Sequence, residues 1–256
     1  MKYFNLLFLF ILFSCSPEEQ PDDSRDSTLA DIGSTDEEVL QVQGYSNYDL
    51  VGFNVLLENK ALEIDESLAL EALELLETKL MEVSTLNLDP LILNQLTTVN
   101  IFMDWNTSNG AAVFHPSAVW LSQNGYITEK EGAIEISNIT NFINWTNQNQ
   151  PYMVLHELAH GYHHNMTNGG EKKAAITNAY QKALSTGLYK NVEYNVGNGN
   201  LITVPEAYAL TSEGEYFAEL TEAFFGLNDY YPFDKEDLER YDSDGFNMMN
   251  FAWEQH

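Results

Sequence analysis

Apolar and polar positions alternate with two periods along this chain, and the two periods occupy different stretches. From Asp65 to Val83, leucines at 68, 73, 76 and 80 recur at helical spacing, with Glu66, Glu71, Glu74 and Glu77 between them. That pattern predicts an amphipathic helix with a solvated acidic face. Asp89-Pro90 opens a short helical segment, and Ile139 to Trp145 reads as a helix or turn. Short apolar runs predict strands at Leu50 to Leu57, Thr98 to Asp104 and Gly132 to Ile136. Ala112 to Leu121 reads as an extended segment interrupted by Pro116. After a strongly apolar stretch at 154–162, Glu171 to Tyr189 is helical in pattern and is stopped near Gly187, while the Asn- and Gly-rich stretch Asn191 to Leu201 reads as a loop. A second strongly apolar helix begins at about Gly214. Asp234 opens another helix, and Phe246 to Trp253 forms the last one.

The stretch at 154–162 reads Val-Leu-His-Glu-Leu-Ala-His-Gly-Tyr and contains H-E-x-x-H. Residues i and i+4 of a helix lie one above the other, so His156 and His160 would present two imidazoles to one metal ion. Glu157, one step round the helix, is close enough to hold a water there. This is the pattern of a zinc metallopeptidase, with the glutamate as general base. Five residues alone leave open a chance match on a buried helix, so the rest of the chain has to decide. The metzincin pattern requires a glycine three places and a histidine six places after the second histidine. Here His163 and Met166 stand at those places, which excludes the three-histidine site. His115, about forty residues upstream beside Pro116, admits two readings, a lining of the cleft or a partly buried structural histidine, and it is left out of the metal site.

In the second apolar helix, Glu215, Glu219 and Glu222 fall along one face, among Tyr216, Phe217, Leu220, Phe224 and Phe225. Carboxylates in such surroundings are costly unless paired or metal-bound. The segment Tyr208-(x)6-Glu215-Tyr216-Phe217-Ala218-Glu219 resembles the catalytic domain of the anthrax lethal factor family, a gluzincin branch, over roughly Tyr152 to Gly226. The resemblance implies an α+β, zincin-like fold in which His156, His160 and Glu215 bind Zn2+ and leave a fourth position for water. It also implies that Glu157 takes and returns a proton and that Tyr208 donates to the developing oxyanion. Glu219 is suited to orient a ligating imidazole from behind. The toxin's other domains are missing and the C-terminal extension differs, so the substrate, a protein or peptide, need not be the toxin's. Asp242-Ser243-Asp244-Gly245 has an EF-hand flavour, but Trp253 stands where the loop's last ligand should be acidic, and calcium is rejected there.

The N-terminus changes the picture of location. Leu6 to Phe13 is apolar and too short to span a membrane. Leu12-Phe13-Ser14-Cys15 resembles the lipobox of bacterial lipoproteins, whose cysteine becomes a lipidated N-terminus; Cys15 is the chain's single cysteine. An ordinary cleaved secretion signal is the alternative. Pro17-Glu18-Glu19 resembles the surface-export signal of some Gram-negative lipoproteins. The organisation expected is a signal over 1–15, a disordered acidic tether over 16–44 and a peptidase domain over 45–256. The protein would be anchored through Cys15 outside the cytoplasm, at the outer membrane or cell surface. Four N-x-S/T sequons, at Asn106, Asn138, Asn144 and Asn165, would matter only in a eukaryotic secretory pathway. The formal net charge of −28 excludes a nucleic-acid footprint and electrostatic docking on anionic lipid. The competing class is a non-catalytic binding or adhesion lipoprotein on a zincin scaffold; against it, ligands, base and tyrosine are all present.

Overall fold

The computed structural model describes residues 39–166 and 170–254. The expectations for the signal, for Cys15 and for most of the acidic tether lie outside the described residues. Val39 to Gly44, counted with the tether from composition, are described: Leu40 and Val42 pack on Leu56, Phe102 and Ala133, and the Leu40 carbonyl accepts from Asn47.

Helices and strands are mixed, an α+β arrangement around one five-stranded sheet. Strands β1 (Tyr45–Leu50), β2 (Phe53–Glu58), β3 (Ile101–Met103), β4 (Ala112–His115) and β5 (Ala133–Ile136) lie in the order β1-β2-β3-β5-β4. β2, β3 and β5 run parallel, and β1 and β4 are antiparallel to their neighbours. The apolar run at 50–57 is therefore a hairpin rather than one strand. Gly52 at φ +84 and Val51 at φ +56 make its two-residue turn, and Asp49 accepts from the Gly52 amide. Period-two alternation sends Val55, Leu57, Ile101, Met103, Ile134 and Ile136 into the main core, and Leu56, Phe102 and Ala133 to the opposite face.

The main core lies between the sheet and the helices. α1 (Asn59–Ser84) breaks at Asp65, whose backbone leaves the helical region while its side chain accepts from the Leu68 amide. The amphipathic segment thus starts where its sequence places a cap. α2 (Pro90–Thr97) is capped by Asp89. The segment at 112–121 is not extended throughout: β4 ends at His115, and Ser117 caps a short helix α3 (Ala118–Gln123). α4 (Ile139–Gln148) and the almost wholly buried α5 (Met153–Asn165) complete the layer beside the sheet. Gly161 lets α5 approach the sheet, since a Cβ there would lie 3.1 Å from Val99 and 3.4 Å from the Phe114 ring.

α6 (Glu171–Thr186) ends at Gly187 in the left-handed region. The Asn- and Gly-rich stretch that follows is a hairpin, β6 (Lys190–Asn195) and β7 (Leu201–Glu206), rather than a loop throughout. Ser212 caps α7 (Glu213–Phe225), Asp234 caps α8 (Lys235–Tyr241) and Asp242 caps α9 (Ser243–Ala252). Asp242 also accepts from the hydroxyls of Tyr189 and Tyr216, a tyrosine-lined anchor for α9.

His115 faces the sheet side away from α5. Its neighbour Phe114 points to α5, so strand alternation turns His115 to the other face, where it meets Glu135 and the rings of Trp120 and Tyr126. Of the two readings of His115, the buried structural one holds. Lys130, buried on the same face, bridges Asp104 and Glu135.

Candidate metal centre

Three donor atoms from two helices converge on one point. His156 and His160 come from α5, one turn apart, and Glu215 comes from the first turn of α7. The Nε2 atoms of His156 and His160 are 3.1 Å apart, and Glu215 Oε2 lies 3.2 Å and 3.1 Å from them. Protons do not explain such a triangle well, because each hydrogen bond needs a donor between its two atoms and a neutral imidazole has one N–H in all. Ligands about 2.0–2.1 Å from a tetrahedral zinc would be separated from one another by about 3.3 Å. The spacing and the His₂Glu donor set therefore fit zinc, with a fourth direction left for water or substrate.

The remaining nitrogen of His156 is fixed from behind. Nδ1 lies 2.7 Å from Glu222 Oε1, so the proton assigned to Nδ1 donates to Glu222 and leaves Nε2 as the free donor atom. Burial opposes a charged His156, but Glu215 and Glu222 outweigh it and raise its basicity. Burial likewise opposes an ionised Glu215, and the two imidazoles beside it hold its carboxyl well below the usual range.

Glu157 is buried beside the triangle. Burial raises its carboxyl above the ordinary value, the two imidazoles pull it down, and Glu215 adds to the rise; the Phe114 backbone supplies a hydrogen bond. The edge strand β4 and the glutamate are thus in contact. Tyr208 lies in a single 3-10 turn, Tyr208–Leu210, between β7 and α7. The residue is exposed overall, but its hydroxyl faces Glu215; local desolvation of that hydroxyl and the carboxylate keep the phenol protonated well past its ordinary range.

Glu219 is buried one turn beyond Glu215, but its carboxylate accepts from Asn228 Nδ2 at 3.1 Å, and the hydrogen bond to the imidazole belongs to Glu222. Burial and neighbouring Asp229 and Glu222 push the Glu219 carboxyl well up; Asp229, raised by burial to about 7, shares this pressure while accepting from Gln150. The sequence places Glu222 on the same face as Glu215 and Glu219, but the spacing there suggests Glu219 for the supporting role. At about 100° per residue, i+7 falls about 20° from Glu215 on the helix surface, whereas i+4 falls about 40° away. His163 also acquires a partner, Glu213, one turn along from the triangle.

Compared with known proteins, the chain matches no protein-family profile, no curated protein and no solved structure.

Proposed function

We propose that this protein is a zinc-dependent peptidase of gluzincin type, with a zincin-like fold, held outside the cytoplasm by a lipid on Cys15. The observation that carries the reading is the convergence of His156, His160 and Glu215 within 3.2 Å of one another across two helices, with Glu157 buried alongside. Zinc held there would supply a Lewis acid that polarises the scissile carbonyl and acidifies water toward a pKa of about 7. Glu157, a carboxyl made more basic by burial, takes the proton from the attacking water and returns it to the leaving amine. The Tyr208 hydroxyl, still protonated at neutral pH, donates to the oxygen on which negative charge develops. Glu222 keeps the proton of His156 on Nδ1.

A peptide substrate is supported by the strand beside the base. β4 pairs with β5 on one side, its other edge has no strand partner among the described residues, and Val113 on it is exposed. An extended peptide laid against that edge would gain main-chain hydrogen bonds. No helix among the described residues is long and apolar enough to cross a membrane.

Incubating the protein with a mixed peptide library tests the reading. Cleavage should appear, stop on chelation, return with added zinc, and be lost in Glu157→Gln. Cleavage indifferent to both the chelator and the substitution would contradict it; zinc binding without any cleavage would favour a binding lipoprotein on the same scaffold.

A further inference from the structure

The ligand Glu215 sits in the first turn of α7, the part of a helix least held by its own hydrogen bonds. Ser212 caps that turn by accepting from the Glu215 amide at 3.1 Å. A cap holds the turn's shape but not its depth against α5.

A second group of side chains lies one turn along from the metal triangle. His163, seven residues after His156 and three after His160, shares their side of α5. Its Nε2 is 3.1 Å from Glu213 Oε1, at the start of α7. Lys173 Nζ, from α6, lies 2.9 Å from the same oxygen and 2.8 Å from the same nitrogen. The ammonium is donor only and the carboxylate acceptor only, so Lys173 donates to both, and the proton of His163 then sits on Nδ1. The His163 ring also stacks on Phe217, one turn into α7. Between Glu213 and Glu215 stands Gly214, where a Cβ would lie 3.4 Å from His160 Nδ1 and 3.7 Å from His163 Nδ1. The α7 backbone thus passes beside both imidazoles, close enough that even a Cβ at Gly214 would be in van der Waals contact with them.

We propose that Lys173, Glu213 and His163 form a positioning clamp that sets the depth of the first turn of α7 against α5, and so places Glu215 Oε2 for the metal. The inference rests on the metal-centre reading above. The ammonium completes a His-Glu-cation arrangement beside the site, with a lysine in the role that the metal takes one turn away. Without it, His163 would have to carry its proton on Nε2 to hold Glu213 at 3.1 Å, and α7 would lose the tie that the ammonium makes to α6 and α5 together. The first turn would then settle further from α5, at the expense of the metal ligand two residues on.

Zinc affinity, read by competition with a chromogenic chelator, tests this, together with the thermal midpoint of the zinc-free protein. Lys173→Met and Glu213→Gln should each weaken zinc binding about tenfold or more, the range found when groups behind a metal ligand are removed, and Lys173→Arg should recover much of the loss. Lys172→Met, which removes the neighbouring ion pair with Glu254, should leave zinc affinity unchanged even if it lowers the midpoint. Lys173→Met and Glu213→Gln proteins that melt lower yet bind zinc as tightly as the unaltered protein would overturn the clamp, leaving a structural ion pair. Should Lys173→Met fail to fold, Glu213→Gln and Lys173→Arg decide the same point. An unaltered protein that binds no zinc would instead overturn the metal-centre reading, and the clamp with it.

Discussion

His156 Nδ1 donates to Glu222 Oε1 across 2.7 Å, from α5 to the last turns of α7, while the opposite nitrogen of the same ring faces Glu215. One helix thus grips one imidazole at both edges. Glu222→Gln keeps the shape but lets the amide donate, which frees His156 to take the wrong tautomer. Zinc affinity should fall about 10- to 100-fold, with a parallel loss of peptidase activity at limiting zinc. A chelator competition that returns the unaltered affinity would remove this role from Glu222.

Tyr208 is expected to act only as charge develops on the substrate. Tyr208→Phe should lower kcat by about 10²- to 10³-fold, with KM and zinc content close to those of the unaltered protein. A change confined to KM would place the hydroxyl in substrate binding instead.

Gly226 closes α7 beneath the ring of Tyr152, the residue just before α5. A Cβ built at Gly226 would fall 1.9 Å from Tyr152 Cζ, inside the ring rather than against a flexible tip. Gly226→Ala must displace the ring or part the two helices, and should cost about 1–3 kcal/mol in denaturant unfolding. The double variant with Tyr152→Ala should recover part of that loss, since the clash would be gone.

The buried ion group on the far face of the sheet predicts a pH dependence. Burial raises the Asp104 carboxyl to about 6, although Lys130 pulls it down. Unfolded, it would titrate near 3.9. Between about pH 4 and 6 the folded state keeps a proton that the unfolded chain has released, so the contribution is complete below this window and lost as pH rises through it. Glu135 runs the other way. Burial works against its ionisation, but His115 and Lys130 hold it at about 2, so its contribution is lost as pH falls from about 4.3 toward 2. Urea midpoints at pH 4, 5 and 6 should therefore decline less steeply in Asp104→Asn than in the unaltered protein. Equal slopes would assign the decline to other groups.

Much of this arrangement is legible in the sequence where a side chain's period and its burial agree. α5 and α7 are apolar nearly all round, so their His and Glu residues stand out as costly, and the start of the amphipathic helix carries its own cap at Asp65. Legibility fails where a turn hides inside an apolar run, as at Val51-Gly52, which a β-branched residue at positive φ disguises. It fails again at β6, where Val192 is the one fully buried side chain of the strand and alternation is too weak to show through the asparagines. The supporting carboxylate behind His156 is a matter of azimuth on α7, decided by the crossing of two helices rather than by either alone. The Lys173 clamp joins three helices, and no spacing along the chain brings its members together.

The most direct measurement is the zinc content of the protein after exchange into metal-free buffer, compared with Glu215→Ala. The account predicts about one zinc per chain in the unaltered protein and a loss of most of it in the variant. A zinc-free protein, or a variant that retains its zinc undiminished, would contradict the centre formed by His156, His160 and Glu215.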